Sequence, residues 1–291
     1  MAESAGSAVR IWQPKGFDGL EIERLDFVPS FDQHVYHTTY EINVLLRGAS
    51  RVRYRTDAWA GTVAEGAPLV FVQGAGEVSR VTATTPTLVR MRTLRLSPAL
   101  MERLIAPWQG RGTPAIAFPH LLSADRAINH LLARLAIRVS DLFEEPVGRL
   151  EAESALLDLL KATVDHLGER AAAAPVARRE HRAVALIKAY LRDCSAADTT
   201  LDDLAALAHL NKFHLLEVFR RDVGVSPHVY QAHLRLHEAR RLLAAGVPIA
   251  DAALAAGFAD QSHLTRQFRR HLHGVTPGRY RRDSLAGPGP Q

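Results

Sequence analysis

The feature that most restricts this chain is an internal repeat of about 50 residues toward its C-terminal end. The first copy reads Leu201-Asp-Asp-Leu-Ala-Ala-Leu-Ala-His-Leu210, then Asn211-Lys-Phe-His-Leu-Leu-Glu-Val-Phe-Arg-Arg221, then Gly224-Val-Ser-Pro-His-Val-Tyr230. The second reads Ile249-Ala-Asp-Ala-Ala-Leu-Ala-Ala-Gly-Phe258, then Asp260-Gln-Ser-His-Leu-Thr-Arg-Gln-Phe-Arg-Arg270, then Gly274-Val-Thr-Pro-Gly-Arg-Tyr280. Single insertions at Ala259 and near His273 keep the copies in phase. Each has the layout of a short helix, a tight turn and a second helix. Ala205 and Ala253 allow close helix crossing, and Leu210 and Gly257-Phe258 fall in the turns. Leu215 and Phe219, like Leu264 and Phe268, are spaced to share one inward face. Ser226-Pro227 and Thr276-Pro277 each offer a hydroxyl cap followed by proline, a helix start. A helix from about Pro227 to Leu243 therefore joins the two units.

This geometry decides which side chains face away from the core. On the second unit they are Gln261, Ser262, Thr265, Arg266 and Arg269, a mixture suited to base edges and phosphates. On the first they are Lys212, Phe213, Leu216, Glu217 and Arg220, a set with less hydrogen-bonding capacity. A solvated amphipathic face is the alternative reading of both. Charge favours the nucleic-acid reading: residues 176–291 carry 17 Lys and Arg against 11 Asp and Glu, whereas the rest has 19 against 20. Lys212, Arg220, Arg221, Arg269, Arg270, Arg281 and Arg282 are candidate phosphate partners.

The preceding chain has another texture. From about Gly19 to Leu96, β-rich runs such as Glu41–Leu46, Arg51–Arg55, Leu69–Val72 and Leu88–Leu96 are broken by turn residues. Arg51 and Arg53 alternate with Val52 and Tyr54, as a half-buried strand requires. Ser97-Pro98 opens a helical stretch, and residues 124–168 read as two helices. Their apolar stripes (Leu131, Leu132, Leu135 and Ala136; Leu156, Leu157, Leu160, Val164 and Leu167) either close a core or pair two subunits. Pro175 marks a linker over 169–179. The expected division is a flexible lead-in at 1–14, a domain at 15–168, the linker, a DNA-binding domain at 180–283 and a disordered tail at 284–291.

The stretch Val184–Arg282 resembles the AraC/XylS DNA-binding domain over its full length. The resemblance is carried most specifically by Gly257-Phe-Ala-Asp-Gln-Ser-His-Leu-Thr-Arg-Gln-Phe268 and Gly274-Val-Thr-Pro-Gly-Arg-Tyr280. It implies two helix-turn-helix units on a long helix, reading adjacent major-groove segments of double-stranded DNA about one helical turn, roughly 34 Å, apart. It places base reading on Phe213, Leu216, Glu217, Gln261, Ser262, Thr265 and Arg266, with Glu217 standing where the family often has a basic residue. The strand-rich region resembles the cupin-like sensor domain that often precedes this domain: His37-x3-Glu41-x6-Gly48 matches most of one motif, and Gly74-Ala-Gly-Glu-Val-Ser79 lies where the second would be. Val35 and Ser79 replace two histidines of the metal-binding pattern, so a metal-free cavity is expected, with His34, His37, Tyr40, Glu41, Asn43, Arg51 and Arg53 as candidate wall residues.

The fold expected is α+β: a cupin-like β-barrel with trailing helices, then an all-α domain of two helix-turn-helix units joined by a long helix. The function expected is a transcription regulator, an activator or a repressor, that binds double-stranded DNA and engages RNA polymerase. The resemblance implies control by a small effector or by homodimerisation. No catalytic residue, metal or cofactor is expected, nor a membrane partner, and a cytoplasmic place follows by default. An enzyme, either a metal cupin or an alkyl-transferring repair protein, would need histidines at 35 and 79 or partners for the single Cys194. A structural nucleoid protein would show no sequence preference.

Overall fold

The computed structural model describes residues 8–28, 30–54, 57–64, 66–84, 88–109, 116–123, 125–144, 149–170, 179–272 and 274–286. Two compact units divide the chain, residues 1–172 with 282–291 in the first and residues 173–281 in the second.

In the first unit the strands are β1 (Ala8–Trp12), β2 (Leu20–Phe27), β3 (Ser30–Tyr36), β4 (Tyr40–Tyr54), β5 (Asp57–Val63), β6 (Leu69–Gln73), β7 (Val78–Thr84) and β8 (Val89–Leu96). There follow α1 (Pro98–Gln109), β9 (Ile116–Ala117), α2 (Arg126–Leu142), α3 (Arg149–Leu167) and β10 (Glu169–Arg170). The eight long strands make one antiparallel sheet ordered β1-β2-β8-β4-β7-β3, with β5 and β6 also paired to β4. It is a half-barrel and not a closed barrel, with β1 and β3 at its two ends. Ala8–Trp12, inside the expected flexible lead-in, is an ordered edge strand whose Val9, Ile11 and Trp12 are buried.

Runs that read locally as separate strands at 41–46 and 51–55 belong to one 15-residue strand, β4 (Arg55 itself lies outside the described residues). Its first half pairs with β6 and β8, its second with β5 and β7. The register against β8 slips between Leu45 and Arg47. Gly48 follows at φ 112°, where a Cβ would fall 2.9 Å from the Val89 backbone. The glycine thus lets β4 pass from one set of partners to the other.

One sheet face is apolar. Leu20, Ile22, Ile42, Val44, Val70, Val72, Leu94 and Leu96 pack against Leu100, Met101 and Ile105 of α1, Leu132, Ala136 and Val139 of α2, and Leu156, Leu159 and Leu160 of α3. Leu132, Leu135 and Ala136 of one stripe and Leu156, Leu160, Val164 and Leu167 of the other therefore belong to the core of this unit, while Leu131 and Leu157 are only half-buried. Asp141, at the end of α2, receives Arg24 of β2 at 2.6 Å and Arg92 of β8 at 2.7 Å, pinning the helix across the strands.

The second unit contains α4 (Arg179–Asp193), α5 (Leu201–Ala208), α6 (Lys212–Val223), α7 (Pro227–Ala244), α8 (Ile249–Ala255) and α9 (Gln261–His271). A last helix, α10 (Pro277–Ala286), extends past Ser284, where a disordered tail was expected to begin; residues 287–291 lie outside the described set. Helix α4 packs on α5 and α6 as α7 packs on α8 and α9, so the repeat starts one helix earlier than its sequence marks. Both copies end alike: Phe219 meets Tyr230 edge-on at 5.7 Å and Phe268 meets Tyr280 at 5.3 Å, all four rings being fully buried. No described helix is long and apolar enough to cross a membrane.

Candidate nucleic-acid interface

The turns are built alike from unlike residues. After α5 the Leu210 amide donates to Ala205 O at 3.0 Å, and after α8 the Phe258 amide donates to Ala253 O at 2.9 Å. The left-handed residue in these turns is His209 at φ 52° in the first unit and Gly257 at φ 84° in the second. Asn211 then caps α6 by accepting the His214 amide at 2.9 Å, and Asp260 caps α9 by accepting the His263 amide at 2.7 Å. Thr200 and Asp203 form a reciprocal capping box at the start of α5. Ser226 and Thr276 accept the amides of Val229 and Arg279, the roles their sequence positions suggested.

These constraints fix which faces the second helices present. Leu215, Val218 and Phe219 of α6, and Leu264 and Phe268 of α9, are buried. Opposite them, Gln261, Ser262, Arg266 and Arg269 are exposed on α9, with Thr265 half-exposed and its hydroxyl donating to Gln261 O at 2.8 Å. On α6, Lys212, Glu217 and Arg220 are exposed and Leu216 is half-buried. Phe213 stands 77% exposed, an apolar ring in solvent beside the first turn of the helix.

Not every basic residue keeps its charge available. Arg281 donates through Nε and Nη2 to Gly246 O, holding the end of α7. Arg221 pairs with Asp222 at 3.1 Å and Lys212 with Asp202 at 3.1 Å. Arg266, Arg269, Arg270 and Arg282 are exposed.

A clamp inside the unit escaped the sequence reading. Gln231 Nε2 donates to Ser195 O and Ala197 O at 3.1 and 3.0 Å, and Arg235 donates to the same carbonyls at 2.7 and 2.9 Å. Residue 257 of the second unit packs on Ala196, between those carbonyls. The α4–α5 connection is therefore gripped from α7 and from the second turn at once. The signal available in the sequence was the i, i+4 spacing of two polar side chains on α7.

The wall residues expected in the first unit fall into three groups. His34, Arg51 and Arg53 are exposed. Tyr40 lies on the helix-covered side, its ring edge-on to Phe118 and its hydroxyl 3.4 Å from Ile116 O. His37, Glu41 and Asn43 are buried in a polar network: His37 Nε2 is 2.7 Å from Ser79 Oγ and its Nδ1 is 3.1 Å from Glu41 Oε1. Arg95 pairs with both Glu41 and Glu23, while Asn43 bonds Gln73 and Thr93. Burial alone would raise the Glu41 pKa, but Arg95 and His37 beside it bring it down to about 2. The two cupin-like stretches do meet, through Ser79 and His37, and the polar groups expected to line a cavity engage each other there. Among the described residues no cluster of three or more His, Cys, Asp or Glu is arranged to hold a metal ion.

Comparison with known proteins bears on this arrangement. A helix-turn-helix domain model matches residues 204–283, from α5 into α10. Over 173 residues the chain is 30% identical to the uncharacterized HTH-type transcriptional regulator YbfI of Bacillus subtilis, covering 60% of this chain and 61% of that protein. It is 33% identical over 84 residues to the HTH-type transcriptional regulator MtrA of Neisseria gonorrhoeae, 28% of each chain. The fold of ToxT from Vibrio cholerae superimposes with a TM-score of 0.53 at 13% identity, covering 92% of this chain and 99% of that one. Residues 204–283 form a helix-turn-helix domain. The matches with YbfI and MtrA thus span less than two thirds of either relative. The likeness to ToxT is one of fold alone, a half-barrel sheet followed by a helical domain, over nearly the whole chain.

Proposed function

We propose that the chain is a sequence-specific DNA-binding transcription regulator. Helices α9 and α6 enter adjacent major-groove segments, and the first unit controls them through a small effector or homodimerisation. The observation that carries this is the sidedness of α9: Gln261, Ser262, Arg266 and Arg269 face solvent while Leu264 and Phe268 are buried on the other side. A helix of about 12 Å diameter fits the major groove, where arginine can pair with guanine and glutamine with adenine. Phe213 and Leu216 suit thymine methyl groups, and Glu217 can accept from a cytosine amine. Lys212, Arg220 and Arg269 then flank the bases as phosphate partners. The +5 net charge, concentrated in the C-terminal part, supports steering toward a polyanion. RNA polymerase would be the second macromolecular partner, and the site of action the cytoplasm, where the chromosome lies.

The test is selection of bound duplexes from a random library by the full chain, followed by binding at several salt concentrations. The reading expects an enriched bipartite motif and a steep fall of affinity with salt. Recovery of random sequence would sink it in favour of a non-specific nucleoid protein.

A further inference from the structure

We propose that the first unit binds a small organic ammonium ion with an apolar body, in a cleft away from the buried His37–Glu41 network. This cleft has a volume of about 730 Å³, within the range of small-molecule sites. Its apolar wall includes Trp59 of β5, Leu121 and Leu167, and its polar groups are His120, Ser123, His166 and Glu169.

Three anchors hold the cleft in shape before any ligand arrives. The Val72 amide of β6 donates to Leu121 O at 2.9 Å. Ser123 is tied to the start of α2, its hydroxyl accepting the Asp125 amide at 3.1 Å and its carbonyl accepting Asn129 Nδ2 at 2.6 Å. The pairing of Glu169 with Ala117 and of Arg170 with Ile116 closes the third side. Trp59 is itself set by an edge-on contact with Phe71 at 5.1 Å. Such preorganisation lowers the ordering cost of binding.

The ligand class follows from charge. Among the described residues lining the cleft, Glu169 is the only Asp, Glu, Lys or Arg. An indole is the best aromatic partner for a cation, and imidazoles and a hydroxyl can accept ammonium hydrogens. An anion would meet Glu169 with no Lys or Arg among the described lining residues to offset it. The position matters for control: Glu169 lies three residues before the boundary at Ala172, on the last described strand before the chain leaves this unit. A cation held between Glu169 and the β5 and 120–123 walls would bias that exit segment, which is what an effector must do. This regulatory consequence rests on the DNA-binding reading; the ligand site itself does not.

The 291-residue chain is titrated calorimetrically at about pH 8, above the ordinary histidine range, with 2-phenylethylamine, 2-phenylethanol and phenylacetate. The expected result is binding of the amine at least about tenfold tighter than of the acid, equivalent to about 1.4 kcal/mol. Glu169→Gln, a change at an exposed side chain, should remove that preference while leaving the alcohol unaffected. Ala58→Trp, filling the mouth from β5, should abolish binding of all three. Equal binding of amine and acid, no binding by the wild-type chain, or an unchanged preference in Glu169→Gln overturns the proposal. Duplex binding is measured on the same samples. Selective DNA binding without amine binding rejects this site alone, whereas amine binding without DNA preference rejects the regulator reading alone.

Discussion

Gly257 lies so close to Ala196 that a Cβ on it would sit 2.6 Å from the Ala196 Cα and 2.7 Å from its carbonyl oxygen. The contact joins the turn of the second helix-turn-helix unit to the connection entering the first. Gly257 also holds φ at 84°, so two independent requirements meet at one position. Gly257→Ala should destabilise the second unit by at least about 2 kcal/mol, combining left-handed strain with a backbone clash. The reciprocal change, His209→Gly, removes a left-handed non-glycine residue and should be neutral or stabilise by up to about 1 kcal/mol. Urea unfolding of the two variants would distinguish a demand for φ alone, which predicts similar sensitivity at both turns, from the close approach that only the second turn makes.

Arg266 and Lys212 should differ in the kind of loss they cause. Arg266→Ala is expected to weaken binding to the selected duplex by about 1–3 kcal/mol and to relax preference at one base pair. Lys212→Ala should weaken selected and random duplexes alike and reduce the salt slope by about one unit. Because Lys212 already pairs with Asp202 at 3.1 Å, Asp202→Asn should strengthen binding slightly. Competition gel shifts with selected and random DNA measure all three.

The clamp on Ser195 and Ala197 makes a non-additivity prediction. Arg235→Ala and Gln231→Ala should each cost roughly 1–2 kcal/mol. The double variant should cost less than the sum if the surviving side chain in each single variant keeps serving the two shared carbonyls. Strict additivity in urea midpoints would show that the two donors act independently.

His271 supplies a pH dependence. Burial, with a smaller contribution from nearby Arg270, lowers its pKa from 6.5 to about 4, and its ring rests edge-on against His233 at 4.9 Å. Between those two values the unfolded chain takes up a proton that the folded chain refuses, so stability falls as pH drops from about 6.5 to about 4. The loss should reach about 2–3 kcal/mol, allowing for the partial exposure of the ring. His271→Gln should flatten this segment of the stability profile, measured as the urea midpoint at about pH 7 and about pH 5.

What the sequence determined by itself was local in physical origin. Caps at Ser226 and Thr276, the inward pairs Leu215–Phe219 and Leu264–Phe268, the span of α7 and the alternation Arg51-Val52-Arg53-Tyr54 each depend on neighbours within one or two turns or along one strand. They are accordingly written as short periods, and the repeat stated them twice. Tertiary structure alone decided the rest. Only pairing with four different strands shows that the runs from Glu41 to Tyr54 are one strand bent at Gly48. Tyr40 and Glu41 are neighbours in sequence, yet the sheet sends them to the helix-covered face and to a buried polar network, because successive residues of a strand point to opposite sides, while His34 sits exposed on a different strand. Partners such as Arg95 for Glu41, or Ser195 for Arg235, lie tens of residues away and leave no period to read. The cleft of Trp59, Ser123 and Glu169 likewise draws on three distant segments, and only the folded chain brings them together.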